Sequence, residues 1–600
     1  MQQSPPFTTR PEISGTFGVA TSTHWIASAV GMRMLEIGGN AFDAAAATGF
    51  VLQVVEPHLN GPLGDMPILI WPAGDAEPTV ICGQGVAPAG ATIKHYRNQG
   101  LTRIPGSGLL ATVVPGAFDA WMLMLRDHGR LSLRDVLEPA IHYARYGHPV
   151  MHRVSATIAD LAGFFRAEWP SSATTWLPDD QPPPPGSLFC NPDLANTWER
   201  LLSEAEAAQG RVAQIETARL VFSQGFIADR IDTFLRKACL MDGGGARRKG
   251  VLSGQDMAEW QATYERPLST VYHGWEVWKC GAWSQGPALL QSLNLLAGLP
   301  VDRMNLSGAD FTHVVSEAIK LSYADREAFY GDPDHTNLPM ARLLSKDYAD
   351  QRRALITKTA SRDQRPGELP GFERWTQAAV DRAAQLFEGG DGIGAGEPTM
   401  AHLGERRGDT CHLDVIDRWG NMVSATPSGG WLQSSPVVPG LGMPLNSRAQ
   451  MFWLEEGLPT SLAPGRRPRT TLSPSMTRDP VGRCLAFGTP GGDQQDQWQL
   501  VYLLRLIHGG MGLQATIDAP LFHSNHTQSS FYPRLADPGA LLIEPGFGPM
   551  VIDDLRERGH RVEVSDAWTL GRLTAASWRP DGLLNAAATP RQMQAYAVGR

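Results

Sequence analysis

The chain has 600 residues, is 42% hydrophobic and 19% charged, and carries a formal net charge of −9 at pH 7. That length exceeds one simple core, and the composition is that of a globular protein, so two or more structural units are expected. The acidic balance excludes the basic face that a nucleic-acid partner demands, and no 18-residue apolar run supports a membrane span.

The opening MQQSPPFTTRPEISGTFG (1–18) is polar and proline-containing, without the apolar stretch of a secretion signal. The cysteines at 82, 190, 239, 280, 411 and 484 show no CxxC or other metal-ligand spacing. They read as reduced thiols in a cytoplasmic protein.

From Thr23 to Val55 the pattern predicts two helices. Ile26, Val30 and Met34 form the apolar stripe of the first, GGN (38–40) ends it, and the alanine-rich run 41–55 is a buried second. MPILIWPAG and TVICGQGVAPAGA then alternate like short strands around a turn. Residues 110–240 are largely helical in pattern, interrupted by PDDQPPPPGS (178–187), an extended surface loop. The helical period returns near 255–265 and 306–330, and TVYHGWEVWKC (270–280) predicts a hairpin turning at His273-Gly274. The stretch 361–409 turns polar and then glycine-rich, the best candidate break in the chain. Beyond it strands are expected at 410–417, 421–426, 484–489, 540–544, 562–565 and 583–588, with helices near 494–510 and 547–558. Helices followed by strands imply an α+β or layered α/β/β/α architecture rather than a doubly wound parallel sheet.

The common catalytic templates are absent: there is no GxxxxGK[ST], HExxH, paired CxxC or GxSxG. GTPGGDQQDQW (488–498) lacks both the glycine spacing and the lysine of a phosphate loop. Thr410 remains, a threonine between a glycine-rich segment and a core-quality strand. Inside a chain its hydroxyl has no base. At a chain N-terminus its own α-amine, with an unperturbed pKa of about 7.7–8.0, can take the proton. Attack of the Thr410 hydroxyl on the Asp409 carbonyl would create that terminus through an ester. It requires a distortable segment before the threonine and a rigid strand after it, and the 409/410 boundary offers both. The residues alone favour a strand-initial threonine after a loop.

Six motifs in chain order decide between these readings. GVATSTHWIASAVGMRMLEIGGNAFDAAAATGFVLQVVEPH (18–58), SYADREAFYGDPD (322–334), DTCHLDVIDRWGNMVSAT (409–426), RPRTTLSPSM (467–476), FGTPGG (487–492) and DAPLFH (518–523) together resemble the γ-glutamyltransferase (glutathione hydrolase) family of N-terminal-nucleophile hydrolases. The resemblance covers nearly the whole chain. It implies a four-layer αββα sandwich and self-cleavage between Asp409 and Thr410. The products would be a large segment 1–409, with a flexible tail from about 388, and a small one of 600 − 409 = 191 residues that stays associated with it. It implies Thr410 as nucleophile, Ser428 as the hydroxyl supporting it, and the amides of Gly491 and Gly492 as the oxyanion hole. Each such donor is worth about 2.7–4 kcal/mol of transition-state stabilisation. The mechanism needs no metal or organic cofactor.

The sequence departs from the family where a γ-glutamyl amino acid is gripped. The family's carboxylate-binding arginine is Gln84. Its ammonium-binding glutamine and aspartate are Arg448 and Met451, and a further asparagine is Gly430. An arginine in that pocket favours a carboxylate and repels an ammonium, and Thr470 and Thr471, in place of two serines, add hydroxyls. The expected substrate is a small amide bearing a carboxylate and no amine, as in the oxamate amidohydrolase branch. A glutathione hydrolase or γ-glutamyl transferase with altered contacts, and a glutaryl-type acylase, are the alternatives. A homo-oligomer is compatible with the sequence and not specified by it.

Overall fold

The computed structural model describes residues 7–385 and 410–600, with the pairs Glu397–Pro398 and Arg407–Gly408 between them. Asp409, on the N-terminal side of the expected cut, and most of the expected tail lie outside the described residues.

Two seven-stranded antiparallel sheets lie at the centre. The first runs in the order Tyr596–Gly599, Gly18–Ser22, Leu413–Asp417, Met422–Ala425, Met66–Trp71, Thr79–Gly83, Thr263–Glu265. The second runs Ile13–Gly15, Leu584–Ala588, Thr574–Trp578, Cys484–Gly488, Ser475–Arg478, Trp275–Lys279, Leu268–Tyr272. Side-chain alternation assigns the faces. Leu413 and Val415 turn to a cluster with the helices Trp25–Glu36, Ala41–Val55, Ala117–His128 and Leu133–Tyr146, whereas Ile416 and Met422 meet Met476, Ala486, Ala576 and Leu584 between the sheets. On the far side Val277, Leu485, Phe487 and Ala575 pack under the helices Pro287–Leu296, Ala309–Phe329 and Gln495–Gly509. The layers are therefore helix, sheet, sheet, helix, the α+β sandwich expected.

Local sequence signals set most elements. Asn40 caps the Ala41–Val55 helix through a reciprocal capping box with Asp43. All fifteen residues of that helix are buried, as its alanine-rich composition predicts. His273 and Gly274 take positive φ (48° and 81°) at the hairpin tip, so the predicted turn is present. Two expectations are corrected: regular strand begins at Leu413 rather than Thr410, and 263–265 is a strand rather than helix. Of the fourteen strands in the two sheets, seven precede residue 410 and seven follow it. Gly18–Ser22, Ser475–Arg478, Thr574–Trp578 and Tyr596–Gly599 carry too little alternation of their own and are strands because neighbours pair with them.

The segments before and after residue 410 thus complete each other's sheets. Leu413–Asp417 is hydrogen-bonded on one side to Gly18–Ser22, and Met422–Ala425 is bonded to Met66–Trp71. Segment 410–600 produced alone should show no cooperative thermal transition by circular dichroism, and co-production with 1–409 should restore one.

Candidate active site

Thr410 is fully buried and stands three residues before the regular inner strand. Its neighbour Cys411 donates its N–H to the carbonyl of Pro427 (3.0 Å), which continues the ladder beyond the strand. The Thr410 hydroxyl then faces that of Ser428, 3.2 Å away. Ser428 is held in turn by Asp65 through two backbone hydrogen bonds, 3.0 Å from the Ser428 N–H and 2.9 Å to its carbonyl.

Thr410, His412 and Asp414 share the face between the sheets. His412 Nε2 lies 3.0 Å from Asp414 Oδ1, and Nδ1 lies 2.9 Å from Thr426 Oγ1. With Asp414 as acceptor, Nε2 carries the proton and Nδ1 accepts from the threonine. Asp414 also accepts from Ser424 (2.8 Å) and from Thr574 of the other sheet (2.9 Å). A Cβ on Gly488 would fall 2.3 Å from the His412 ring, so glycine is required for that ring to lie against the second sheet. Thr574 is directly opposite Gly488 in that sheet. The start of the Leu413–Asp417 strand therefore meets the end of Cys484–Gly488. Thr410, two residues before His412, and the Gly491–Gly492 turn, three residues after Gly488, are brought to the same end of the inter-sheet space.

The turn can only be glycine. Gly491 has φ 129°, and a Cβ there would lie 2.2 Å from the Trp498 ring. Among the described residues neither the Gly491 nor the Gly492 N–H has an acceptor. A network invisible to local sequence reading fixes the turn. Gln285 Nε2 donates to the Gly492 carbonyl (3.0 Å), and Arg326 donates to Gln285 Oε1 (2.7 Å) and pairs with Asp493 (2.6 Å). Ser530 gives Asp493 two further donors, and Asp496 pairs with buried Lys279 (2.8 Å) and accepts from Ser473 (2.8 Å). The motifs at 322–334 and 467–476 thereby acquire physical roles: Arg326 meets Asp493, Glu327 meets Arg469 (2.8 Å), and Asp332 meets Arg467 (2.7 Å).

The expected recognition residues divide. Arg448 is fully buried in the short helix Arg448–Met451, so it is neither a surface residue nor an arm reaching from outside. Its Nε pairs with Asp65 at 2.9 Å, and its guanidinium lies 5.2 Å from the Trp431 ring. Met451 is buried core. Gly430 has φ 64°, and a Cβ there would come within 3.0 Å of the Gly64 nitrogen, so backbone packing excludes a side chain. Thr470 donates its N–H to the Trp283 carbonyl (2.7 Å), and its hydroxyl accepts from the Leu472 N–H (3.4 Å). The Thr471 hydroxyl and Gln84 Oε1 are buried without a hydrogen-bond partner among the described residues, the condition of groups that await a ligand or water. Gln84 sits between Cys82, which contacts Arg467, and Ala87, whose backbone pairs with residues 465 and 466.

Behind Thr410, buried Glu56 accepts from Thr23 (2.5 Å), Cys411 (3.0 Å) and Gln594 (2.5 Å). Burial raises its carboxyl, against the Cys411 and Thr23 donors and the guanidiniums of Arg572 and Arg153. Burial pushes His24 down to about 3, His148 down to about 4 and His58 well below the ordinary range, so these imidazoles are neutral at neutral pH.

Two outcomes follow from this geometry. Burial alone would raise Asp493 and Asp332, but the Arg326, Arg469 and Arg467 guanidiniums outweigh it and hold both carboxyls below the usual range. Carboxyls depressed in the folded state contribute stability that is fully present above their unfolded pKa, about 3.9, and is lost as pH falls through the folded value. Thermal stability should therefore drop steeply below about pH 4, and more shallowly in Asp493→Asn, which should also lose about 1–3 kcal/mol near neutrality by leaving Glu327 as the carboxylate partner of Arg326. Second, Asp65→Asn and Arg448→Gln should each destabilise strongly, while the double variant loses less than the two combined. An additive double-mutant cycle would show that the pair is not coupled.

The geometry coincides with a known family. Residues 27–599 match the γ-glutamyltranspeptidase family. The acylase ACY 1 proenzyme of Pseudomonas sp. (strain SE83) is 30% identical over 96% of this chain and 92% of its own length. The oxamate amidohydrolase proenzyme of Klebsiella pneumoniae subsp. pneumoniae is 30% identical over 97% of this chain and 98% of its own. Among solved structures, LmbA2991HD superimposes with a TM-score of 0.91 at 50% identity, covering 99% of this chain and all of that one. A threonine at the head of an inner strand, a hydroxyl partner and a glycine turn at the same end of an αββα sandwich agree with these matches, and the chain is an enzyme of the γ-glutamyltranspeptidase family of N-terminal-nucleophile hydrolases.

Proposed function

We propose that the chain cleaves itself between Asp409 and Thr410 and then hydrolyses the amide of a small carboxylate-bearing substrate through an acyl-Thr410 ester. In processing, Thr410 Oγ attacks the Asp409 carbonyl carbon, the peptide C–N bond breaks, and water hydrolyses the resulting ester. The released α-amine of Thr410 becomes the base for its own hydroxyl. In turnover Oγ adds to the substrate carbonyl while the Gly491 and Gly492 amides receive the oxyanion. The amine leaves with the proton taken from Oγ, and water then cleaves the ester. Ser428 orients the Thr410 hydroxyl throughout.

The observation that carries this reading is the Thr410–Ser428 hydroxyl pair at the end of the sandwich shared with the Gly491–Gly492 turn. The substrate class rests on charge. An α-ammonium needs a carboxylate to spare, yet Asp65 is paired with Arg448, Glu56 accepts three donors, and Asp414 serves His412, Ser424 and Thr574. The Thr471 hydroxyl and the Gln84 amide oxygen, buried without a hydrogen-bond partner among the described residues, mark a polar seat for the substrate's carboxylate end. Two relatives at 30% identity carry the names oxamate amidohydrolase and acylase, both amide-cleaving activities. Oxamate is the smaller candidate, and a glutaryl-type acyl group satisfies the same charge requirement.

On a denaturing gel the parent should appear as fragments of about 44 and 21 kDa, the 65.1 kDa mass divided 409 to 191, and Thr410→Ala should remain whole. A parent that never divides would end the self-cleavage reading. The processed enzyme should release ammonia from oxamate faster than it hydrolyses a γ-glutamyl anilide, and the reverse order would return the chain to the glutathione-hydrolase class.

A further inference from the structure

A cleft of about 700 Å³ opens between the Ile93–Asn98 helix with the loop after it, the end of the Glu373–Gln385 helix, and residues 453–455. Its charged lining is Arg97, Arg103 and Arg382 against Glu455, so +3 − 1 leaves two positive charges uncompensated. The volume is in the range of small-ligand sites.

Arg382 distinguishes this cleft from a solvated basic patch. The residue is 4% exposed, yet its Nε and Nη1 have no hydrogen-bond acceptor among the described residues. Its Nη2 donates to the Glu327 carbonyl at 3.2 Å, and the nearest carboxylate oxygen, of Glu455, stands 3.8 Å from Nη1, beyond hydrogen-bond length. Leaving guanidinium donors buried and unmade is costly. Nor can the group swing to water, because the Trp453 ring is stacked by Arg382 at 4.7 Å and by Arg534 at 4.1 Å. Arg534 is itself clamped to the carbonyls of Gln450 and Phe452. Burial pushes Arg382 below the ordinary arginine value despite Glu327 and Glu455. At the rim, Arg97 and Arg103 each spend one donor on a backbone carbonyl, Leu454 and Pro533, which fixes their heads beside the opening.

We propose that this cleft is a binding site for a small dicarboxylate. One carboxylate accepts from the unmade Nη1 of Arg382, at the inner end of the cleft, and the other lies between Arg97 and Arg103 at the rim. Charge-assisted N–H···O contacts of this kind are stronger than neutral ones. The inference stands on the side chains of the cleft and does not depend on the chemistry at Thr410.

Isothermal titration of the purified protein with glutarate, succinate and inorganic phosphate tests it. Glutarate or succinate should bind more tightly than phosphate, which reaches one end of the cleft only. Arg382→Gln should weaken dicarboxylate binding at least ten-fold, and Arg103→Gln, at a half-exposed position that folding tolerates, should weaken it several-fold. Lys94→Gln, which removes a charge from the same helix outside the cleft, should bind as the parent does. Dicarboxylate binding unchanged in both arginine variants would locate the ligand elsewhere and overturn the assignment. Equal weakening by Lys94→Gln would reduce the effect to diffuse surface charge, and no binding of either dicarboxylate at millimolar concentration would also overturn it.

Discussion

The structure depends on the interleaving of two chain segments across each of two sheets. The inner strand that follows Thr410 has Gly18–Ser22 on one side and Met422–Ala425 on the other, and Met422–Ala425 in turn leans on Met66–Trp71. A strand clamped on both sides cannot relax when the peptide before it is distorted. Rigidity on one side of a scissile bond, and adaptable chain on the other, are what an intramolecular attack by a hydroxyl needs. The same interleaving makes a cut harmless to the fold, because contacts between the segments outlast the covalent link.

Polar contacts between the segments reinforce this and concentrate at the catalytic end. Asp65 joins Arg448, Glu56 joins Cys411 and Gln594, Arg326 joins Asp493, Lys279 joins Asp496, and Asp332 joins Arg467. Buried ion pairs are poor sources of net stability but severe constraints on geometry, since breaking one strands a charge. Here they surround the glycine turn and the Ser428 loop, the two elements that lie at the Thr410 end of the sandwich. An error there of about 1 Å costs far more in rate than in stability.

Much of this was legible in the sequence, for reasons that differ from residue to residue. Thr410 stood out because a glycine-rich segment abutted a strand pattern. The helices after Thr23, the 270–280 hairpin and the strand at 484–488 announced themselves by period and turn chemistry. Gly491 and Gly492 could be recognised only through family resemblance, and the Trp498 ring against Gly491 now gives the steric reason. What stayed hidden was long-range pairing. Arg326 and Asp493 are 167 positions apart, and Asp65 and Arg448 are 383 apart. No local period reports such partners, so Arg448 read as a free cation for a substrate while Asp65 went unnoticed.

That pairing changes how substrate choice is understood. A lone arginine would select a carboxylate by its own charge, and its removal would affect affinity alone. An Asp65–Arg448 pair behind Ser428 instead ties the electrostatics of this region to the positioning of the Thr410 hydroxyl, because the backbone of Asp65 holds Ser428. Gly430 belongs to the same arrangement: the chain at 429–430 packs so closely on residues 61–64 that no side chain fits to hold an ammonium. On the proposed reading, loss of a γ-glutamyl grip is then not a set of independent substitutions. It is one local repacking in which Asp65, Arg448 and the glycines at 429 and 430 form a neutral, tightly seated wall.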